Sequence, residues 1–204
     1  MSVAWAARFW TPARDSRQSA FALRTHAFSA GVLRPAEAAT ARRAAHLGNL
    51  TRKAQDAEAL GAYWKQLPQE MRVDPVVAAT AARYHLALGR TAEAQALIEA
   101  ALEHEWNASL IALYGEAAGD DSLPQIQRAE KWLRDHARDP ALLLALGKLC
   151  MRQALWGKAQ SYIEASLALE PTHDGHMTLA ALMERLGKPQ EAVRHFRRSA
   201  ELAG

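Results

Sequence analysis

Apolar residues recur three and four positions apart along much of this chain, which is the spacing of amphipathic α-helices. Two such runs follow each other closely: Ala78, Ala81, Ala82, His85 and Leu86, then Ala94, Leu97, Ile98, Ala101 and Leu102. A residue before proline is biased away from helical backbone angles. Helix boundaries are therefore predicted at Arg34-Pro35, Leu67-Pro68, Asp74-Pro75, Leu123-Pro124, Asp139-Pro140 and Glu170-Pro171. The pattern predicts a series of short helices and no β-sheet.

The predicted helices form pairs that repeat. In the segment 140–171, Leu146-Gly147 marks a first helix, Ala159 and Ile163 mark a second, and Pro171 closes the unit, so the segment resembles one tetratricopeptide repeat. Small residues at the equivalent place in successive second helices are separated by 35, 30 and 33 residues, close to the ~34-residue period of that repeat. These anchors are Ala94, Ala129, Ala159 and Ala192. We predict an all-α fold, a tetratricopeptide-like right-handed α-solenoid of four to five antiparallel helix pairs.

Close helix packing explains the small residues of this pattern. Gly147 and Ala159 are expected to let the two helices of one pair approach each other with little side chain between them. The repeat domain is predicted to span residues 36–204. Residues 1–35 fit the pattern poorly and are interpreted as a partial preceding helical unit, with Asp15 or Ser16 capping a helix that ends near Ala30.

A basic groove is the candidate binding surface. In tetratricopeptide arrays the second, fifth, ninth, twelfth and thirteenth residues of each first helix line the concave face. Counting from Ala41, Pro75, Pro140 and His173 places on that face Arg42, Asn49, Arg52, Lys53, Arg83, Leu144, Lys148, Met151, Arg152, Met177 and Arg185. Only Asp174 and Glu184 are expected to oppose the cations, at the carboxy-terminal end. Such a surface favours a protein or peptide partner that is acidic, or a carboxy-terminal carboxylate.

Composition and motifs argue against catalysis. The net charge of +3 comes from 25 basic and 22 acidic residues scattered along the chain, so nucleic-acid binding is not predicted. No phosphate-binding glycine loop of the form GxGxxG or GxxxxGK[ST] occurs. Cys150 lies among apolar residues and is interpreted as a core residue, and His173 with His176 as solvated loop residues. We predict no enzyme activity, no metal site and no cofactor.

Three stretches extend the resemblance to a particular family. These are GAYWK at 61–65, LLLALGKLCMRQALWGKAQ at 142–160 and HMTLAALMERLGKPQEAVRHFRR at 176–198. From about Leu60 to Leu202 the chain resembles the carboxy-terminal repeat domain of HemY-type proteins of proteobacteria. The resemblance implies the soluble repeat domain of an inner-membrane protein, on the cytoplasmic side, associated with haem biosynthesis. The membrane is then expected to be reached only through a segment absent from this chain.

Two functions follow as hypotheses. The first is a non-catalytic scaffold that organises partners of haem biosynthesis. The second is a porphyrin or haem carrier, in which the basic groove holds the propionates and a histidine ligates iron.

Overall fold

Helices make up the regular structure of the described chain. The structure is a computed structural model that describes residues 35–119 and 121–203, and no strand occurs in these ranges. The helices are α1 (Pro35–Arg52), α2 (Ala57–Gln66), α3 (Gln69–Arg72), α4 (Pro75–Ala87), α5 (Thr91–His104), α6 (Ala108–Glu116), α7 (Leu123–Trp132), α8 (Pro140–Arg152), α9 (Trp156–Leu169), α10 (His173–Arg185) and α11 (Pro189–Leu202). The predicted partial unit of residues 1–35, with its helix ending near Ala30, lies outside these ranges except for Pro35.

The chain divides into two compact units, the first ending at Asn49 and the second beginning at Leu50. Each is described by itself. The described part of the first unit is the α1 segment 35–49, on which Ala38 is buried. The predicted boundary between residues 35 and 36 stays a prediction.

Helix starts follow the predicted signals. The Asp74 carboxylate accepts the backbone N–H groups of Val76 and Val77 at 3.0 and 3.1 Å, and α4 begins at the next residue, Pro75. Asp139 accepts the N–H of Leu142 at 3.0 Å at the start of α8. An aspartate side chain satisfies N–H groups that have no partner within the helix, and proline at the first helical position needs none. The predicted boundaries at residues 67–68, 74–75, 139–140 and 170–171 are confirmed, whereas α7 begins at Leu123, one residue before its proline, and Arg34 lies outside the described residues.

The second unit is a solenoid of successive helix pairs. Helices α4 and α5, α8 and α9, and α10 and α11 pack against each other as pairs. Between pairs, α6 packs on α4 and α8, and α10 packs on α9. Contacts of this kind join each repeat to its neighbours in the chain, as in repeat proteins generally. The prediction of an all-α, tetratricopeptide-like solenoid is confirmed.

Small residues lie where the helices come closest. The anchors Ala94, Ala129, Ala159 and Ala192 are all at most 1% exposed. A Cβ atom on Gly147 would collide with Cγ1 of Ile163 and would lie 3.5 Å from the carbonyl oxygen of Ala159. The close approach predicted at Gly147 and Ala159 is therefore confirmed.

Cys150 is part of the same core. Its side chain is fully buried, and burial is the main reason that its pKa is raised to about 11. The thiol is therefore protonated and apolar in behaviour near neutral pH, as the sequence predicted.

None of the helices in the described residues is long and apolar enough to cross a membrane.

Candidate functional site

The first helices of three neighbouring repeats, α6, α8 and α10, border an open groove of about 840 Å³. We call it the central groove. Its lining residues are Gly115, Glu116, Gly119, Lys148, Met151, Arg152, Ala154, Trp156, Met177, Thr178, Ala181 and Arg185. It lies wholly within the second unit.

The structure brings five of the predicted groove residues together here: Lys148, Met151, Arg152, Met177 and Arg185. A sixth, Leu144, lines a smaller and mostly apolar pocket of about 170 Å³ beside Pro140 and Ala141. Lys148 lines both cavities and so lies between them. Their role in binding a partner stays a prediction.

The remaining predicted residues lie elsewhere. Arg83 is exposed on α4 and is not among the residues that line the central groove. Lys53 follows α1, and its Nζ lies 5.7 Å from the centre of the Tyr63 ring, a cation–π contact. The others are Arg52, the last residue of α1, and Arg42 and Asn49, which belong to the first unit.

The ammonium group of Lys148 is paired with two carboxylates. Its Nζ lies 2.7 Å from Oδ2 of Asp174 and 4.0 Å from Oε1 of Glu116, and its side chain is only 19% exposed. The Asp174 contact joins α8 to α10. The positive charge of Lys148 is thus largely neutralised within the protein.

Arg152 and Arg185 differ from Lys148. Both are exposed at the carboxy-terminal ends of their helices, α8 and α10. Neither makes an ion pair or a side-chain hydrogen bond with any residue in the ranges that the structure describes. Two guanidinium groups, each able to donate paired hydrogen bonds to one carboxylate, therefore border the central groove.

Apolar side chains complete the lining. Met177 is 40% exposed, while Met151 and Trp156 are half-buried and pack against the core. Methionine is flexible and polarisable, and it adapts to differently shaped apolar partners. The central groove therefore combines two arginines that have no partner in the described ranges with flexible apolar side chains.

Helix α6 was missed as a first helix in the sequence count, which went from Pro75 directly to Pro140. As a result, Glu116 at the groove was not predicted, and its carboxylate reduces the positive charge there. The sequence signal for the start of α6 is Asn107. Its side chain caps the helix by accepting the N–H groups of Ser109 and Leu110. No proline marks this start, and for that reason the proline pattern did not reveal it.

Several histidines contact other side chains. His136 stacks on Trp106 with ring centres 3.6 Å apart. Nδ1 of His173 lies 2.8 Å from Oγ of Ser199, and Nδ1 of His176 lies 3.1 Å from Nδ1 of His195. His173 and His176 belong to α10, which begins at His173 as the groove count assumed, so the interpretation of the two histidines as loop residues is wrong.

His85 is 5% exposed, and its Nδ1 has no hydrogen-bond partner among the described residues. Burial is the main cause that lowers its pKa, with Glu93 and Arg90 contributing in opposite directions. No histidine is among the residues that line the central groove. Within the described ranges no group of three or more His, Cys, Asp or Glu side chains could hold a metal ion.

Comparison with solved structures supports the fold. No family model and no curated protein matches the chain. A tetratricopeptide repeat protein of Thermus thermophilus, TTC0263, superposes with a TM-score of 0.57 at 21% identity, covering 91% of each chain. MamA from Desulfovibrio magneticus RS-1 has a TM-score of 0.47 at 18% identity over 79% of this chain and 94% of its own. The first likeness shows a tetratricopeptide-type fold; the second is too low to add to it.

Proposed function

We propose that this chain is a non-catalytic protein–protein interaction scaffold whose central groove binds an acidic peptide or a carboxy-terminal carboxylate. The observation that carries the proposal is the pair Arg152 and Arg185, two exposed guanidinium groups bordering one groove without partners in the described ranges. The groove's volume of about 840 Å³ is large enough for a short peptide segment.

Charge and shape select the partner. A carboxylate that reaches Arg152 or Arg185 gains charge-assisted hydrogen bonds, while apolar side chains of the peptide contact Met151 and Met177. Glu116 disfavours a partner that is acidic along its whole length. We therefore expect alternating acidic and apolar residues in the bound segment.

The test uses two double variants with the same change of charge. Peptides with free carboxyl termini are selected on the immobilised chain, and the best binder is measured by calorimetry. Arg152→Glu with Arg185→Glu is expected to weaken binding at least tenfold, because both groups that accept the carboxylate change sign. Arg194→Glu with Arg197→Glu, on the exposed face of α11 outside the groove, is the matched control.

Salt provides a second readout. Exposed charges are screened over about 8 Å at physiological ionic strength, so the selected peptide should bind more weakly as salt is raised. Equal losses in the two double variants would assign the effect to net charge and contradict a site at the central groove. Selection of basic peptides would contradict the proposed partner.

The partners we propose are proteins of haem biosynthesis, met at the cytoplasmic side of the inner membrane. Support comes from the resemblance of residues 142–160 and 176–198 to the HemY-type repeat domain. The membrane would be reached through a segment absent from this chain. Affinity purification of the full-length protein from its own membranes, read by mass spectrometry, tests this context: absence of haem-biosynthesis proteins would contradict it.

The carrier hypothesis has a separate test. It requires a histidine near the basic groove, and the lining of the central groove contains none. Titration with haem is therefore expected to give no stoichiometric Soret shift. A sharp shift that is lost on substitution of a single histidine would favour the carrier over the scaffold.

A further inference from the structure

Two imidazole rings face each other between α10 and α11. His176 on α10 and His195 on α11 place their Nδ1 atoms 3.1 Å apart, with ring centres 5.3 Å apart and ring planes inclined by 25°. Both residues are half-buried. Since a neutral imidazole has one N–H and one lone pair, this contact requires that one ring carry its proton on Nδ1 and the other on Nε2.

The spacing also suits a shared metal ion. Imidazole nitrogen binds Zn²⁺ at about 2.0–2.1 Å, so two nitrogens 3.1 Å apart fit one ion with an N–metal–N angle of roughly 95–100°. The ring that holds its proton on Nδ1 would move it to Nε2. Both Nδ1 lone pairs would then be free for the ion, with no net loss of protons from two neutral rings.

The helix pair holds the two rings in place. One turn away, Nδ1 of His173 lies 2.8 Å from Oγ of the buried Ser199, a second contact between α10 and α11. Thr172 caps α10 by accepting the N–H of Gly175 at 3.0 Å. The His176–His195 pair therefore lies within a fixed helix pair, which lowers the cost of ordering two ligands around an ion.

The surroundings of His176 favour its neutral form. Burial, His195 and Arg198 together lower the pKa of His176, while Glu201 acts in the opposite direction. The Arg198 guanidinium is paired with Glu201 at 2.7 Å, so its repulsion of a cation is partly cancelled. Metal binding needs neutral imidazole, and near neutral pH His176 meets that requirement.

We propose that Nδ1 of His176 and Nδ1 of His195 form a two-histidine site for a first-row divalent ion of the Zn²⁺ class, with water completing the coordination. Imidazole favours such ions over Mg²⁺, which prefers oxygen. The ion would join α10 to α11 and stabilise this helix pair. The proposal is independent of the central groove, in which neither histidine takes part.

Calorimetry with ZnCl₂ at pH 7.5 on the untagged chain tests the site. We expect one equivalent bound, an affinity at least tenfold lower in His195→Ala, and no response to MgCl₂. His104→Ala is the matched control, because His104 is an exposed histidine at the end of α5. Absence of zinc binding, or equal binding by His195→Ala and the unmodified chain, would overturn the proposal.

A second measurement needs no substitution and decides the question if His195→Ala does not fold. Ring ¹⁵N spectra of the unmodified chain should show Zn²⁺ shifting the Nδ1 resonances of His176 and His195 and moving both ring protons to Nε2. Shifts confined to other histidines would identify adventitious binding and refute the site.

Discussion

Ala154 has a backbone conformation that alanine adopts at a cost. Its φ is 54°, while Gly89 and Gly187 occupy the equivalent turns of two other repeats with φ of 71° and 72°. A side chain in this left-handed region costs about 1–2 kcal/mol, and glycine is largely free of that cost. The turn between α8 and α9, which also lines the central groove, therefore retains strain that the other two turns avoid.

Ala154→Gly is expected to raise the free energy of unfolding by about 0.5–1 kcal/mol, since relief of strain outweighs the greater entropy of glycine in the unfolded chain. Urea unfolding followed by circular dichroism measures the change. The matched control is Ala165→Gly in the exposed middle of α9, which should lower stability by about 1 kcal/mol. The same sign for both substitutions would contradict strain at Ala154.

His85 makes stability depend on pH. Its pKa in the folded protein lies below the unfolded value of about 6.5, so the unfolded chain takes up a proton first as the pH falls. Stability is complete above about pH 6.5 and is lost as the pH falls toward the folded pKa. His176, whose pKa is also lowered, adds to the loss in the same direction.

His85→Leu should therefore reduce the drop in the urea midpoint between pH 7.5 and 5.5, without breaking a hydrogen bond at Nδ1. The exposed His104 provides the control: His104→Leu should leave the drop unchanged. If both variants retain the full drop, His85 is not its source.

Helices α6 and α8 approach each other closely at Gly115. A Cβ atom placed there would lie 2.8 Å from Cα and 3.0 Å from Cβ of Ala145. Because one of the opposing atoms belongs to the backbone, α8 would have to shift as a whole. The position of α6 beside the central groove therefore depends on glycine at position 115, which has no side chain.

Gly115→Ala should lower the free energy of unfolding by about 1–3 kcal/mol through overpacking, reduced by up to about 1 kcal/mol of improved helix propensity. Gly157→Ala on α9 is the matched control, because nothing lies within 4 Å of its added Cβ. The control should be neutral or stabilising by urea unfolding. Equal effects of the two substitutions would show that α6 and α8 separate without cost.

The helices were predictable because their signals are local. Proline at the helix starts, aspartate caps and buried alanine anchors each act within a few residues, and they recur with the repeat. The ion pair of Lys148 with Asp174 was not predictable in the same way. The pair depends on the side-chain conformations of residues on two different helices. Its two residues are 26 positions apart in the sequence. Glu116 was missed because α6 begins after Asn107 rather than at a proline.

At the scale of the molecule, the outer face of α11 is mostly polar, with Val193 and Leu202 as its large exposed apolar side chains. Only Ala192 and Ser199 are buried on this helix, while Arg194, Arg197 and Glu201 are exposed. Loss of α11 would expose the surface of α10 against which it packs.

Removal of residues 173–204 should lower stability without abolishing folding, because each repeat contacts mainly its neighbours. Circular dichroism with urea unfolding should show a shortened chain that keeps cooperative unfolding at a lower midpoint. A chain without helical signal would contradict a nearest-neighbour array. Peptide binding at the central groove should also weaken, because Met177 and Arg185 are removed.

Arg152 and Arg185 belong to consecutive repeats, so any flexing between those repeats changes the separation of the two guanidinium groups. A rigid ligand that binds both guanidinium groups would hold the two repeats at a fixed distance. Conversely, tension applied along the chain would change the distance between the two guanidinium groups, so that such a ligand could no longer bind both. The affinity of the central groove for the ligand is therefore expected to fall when the array is stretched.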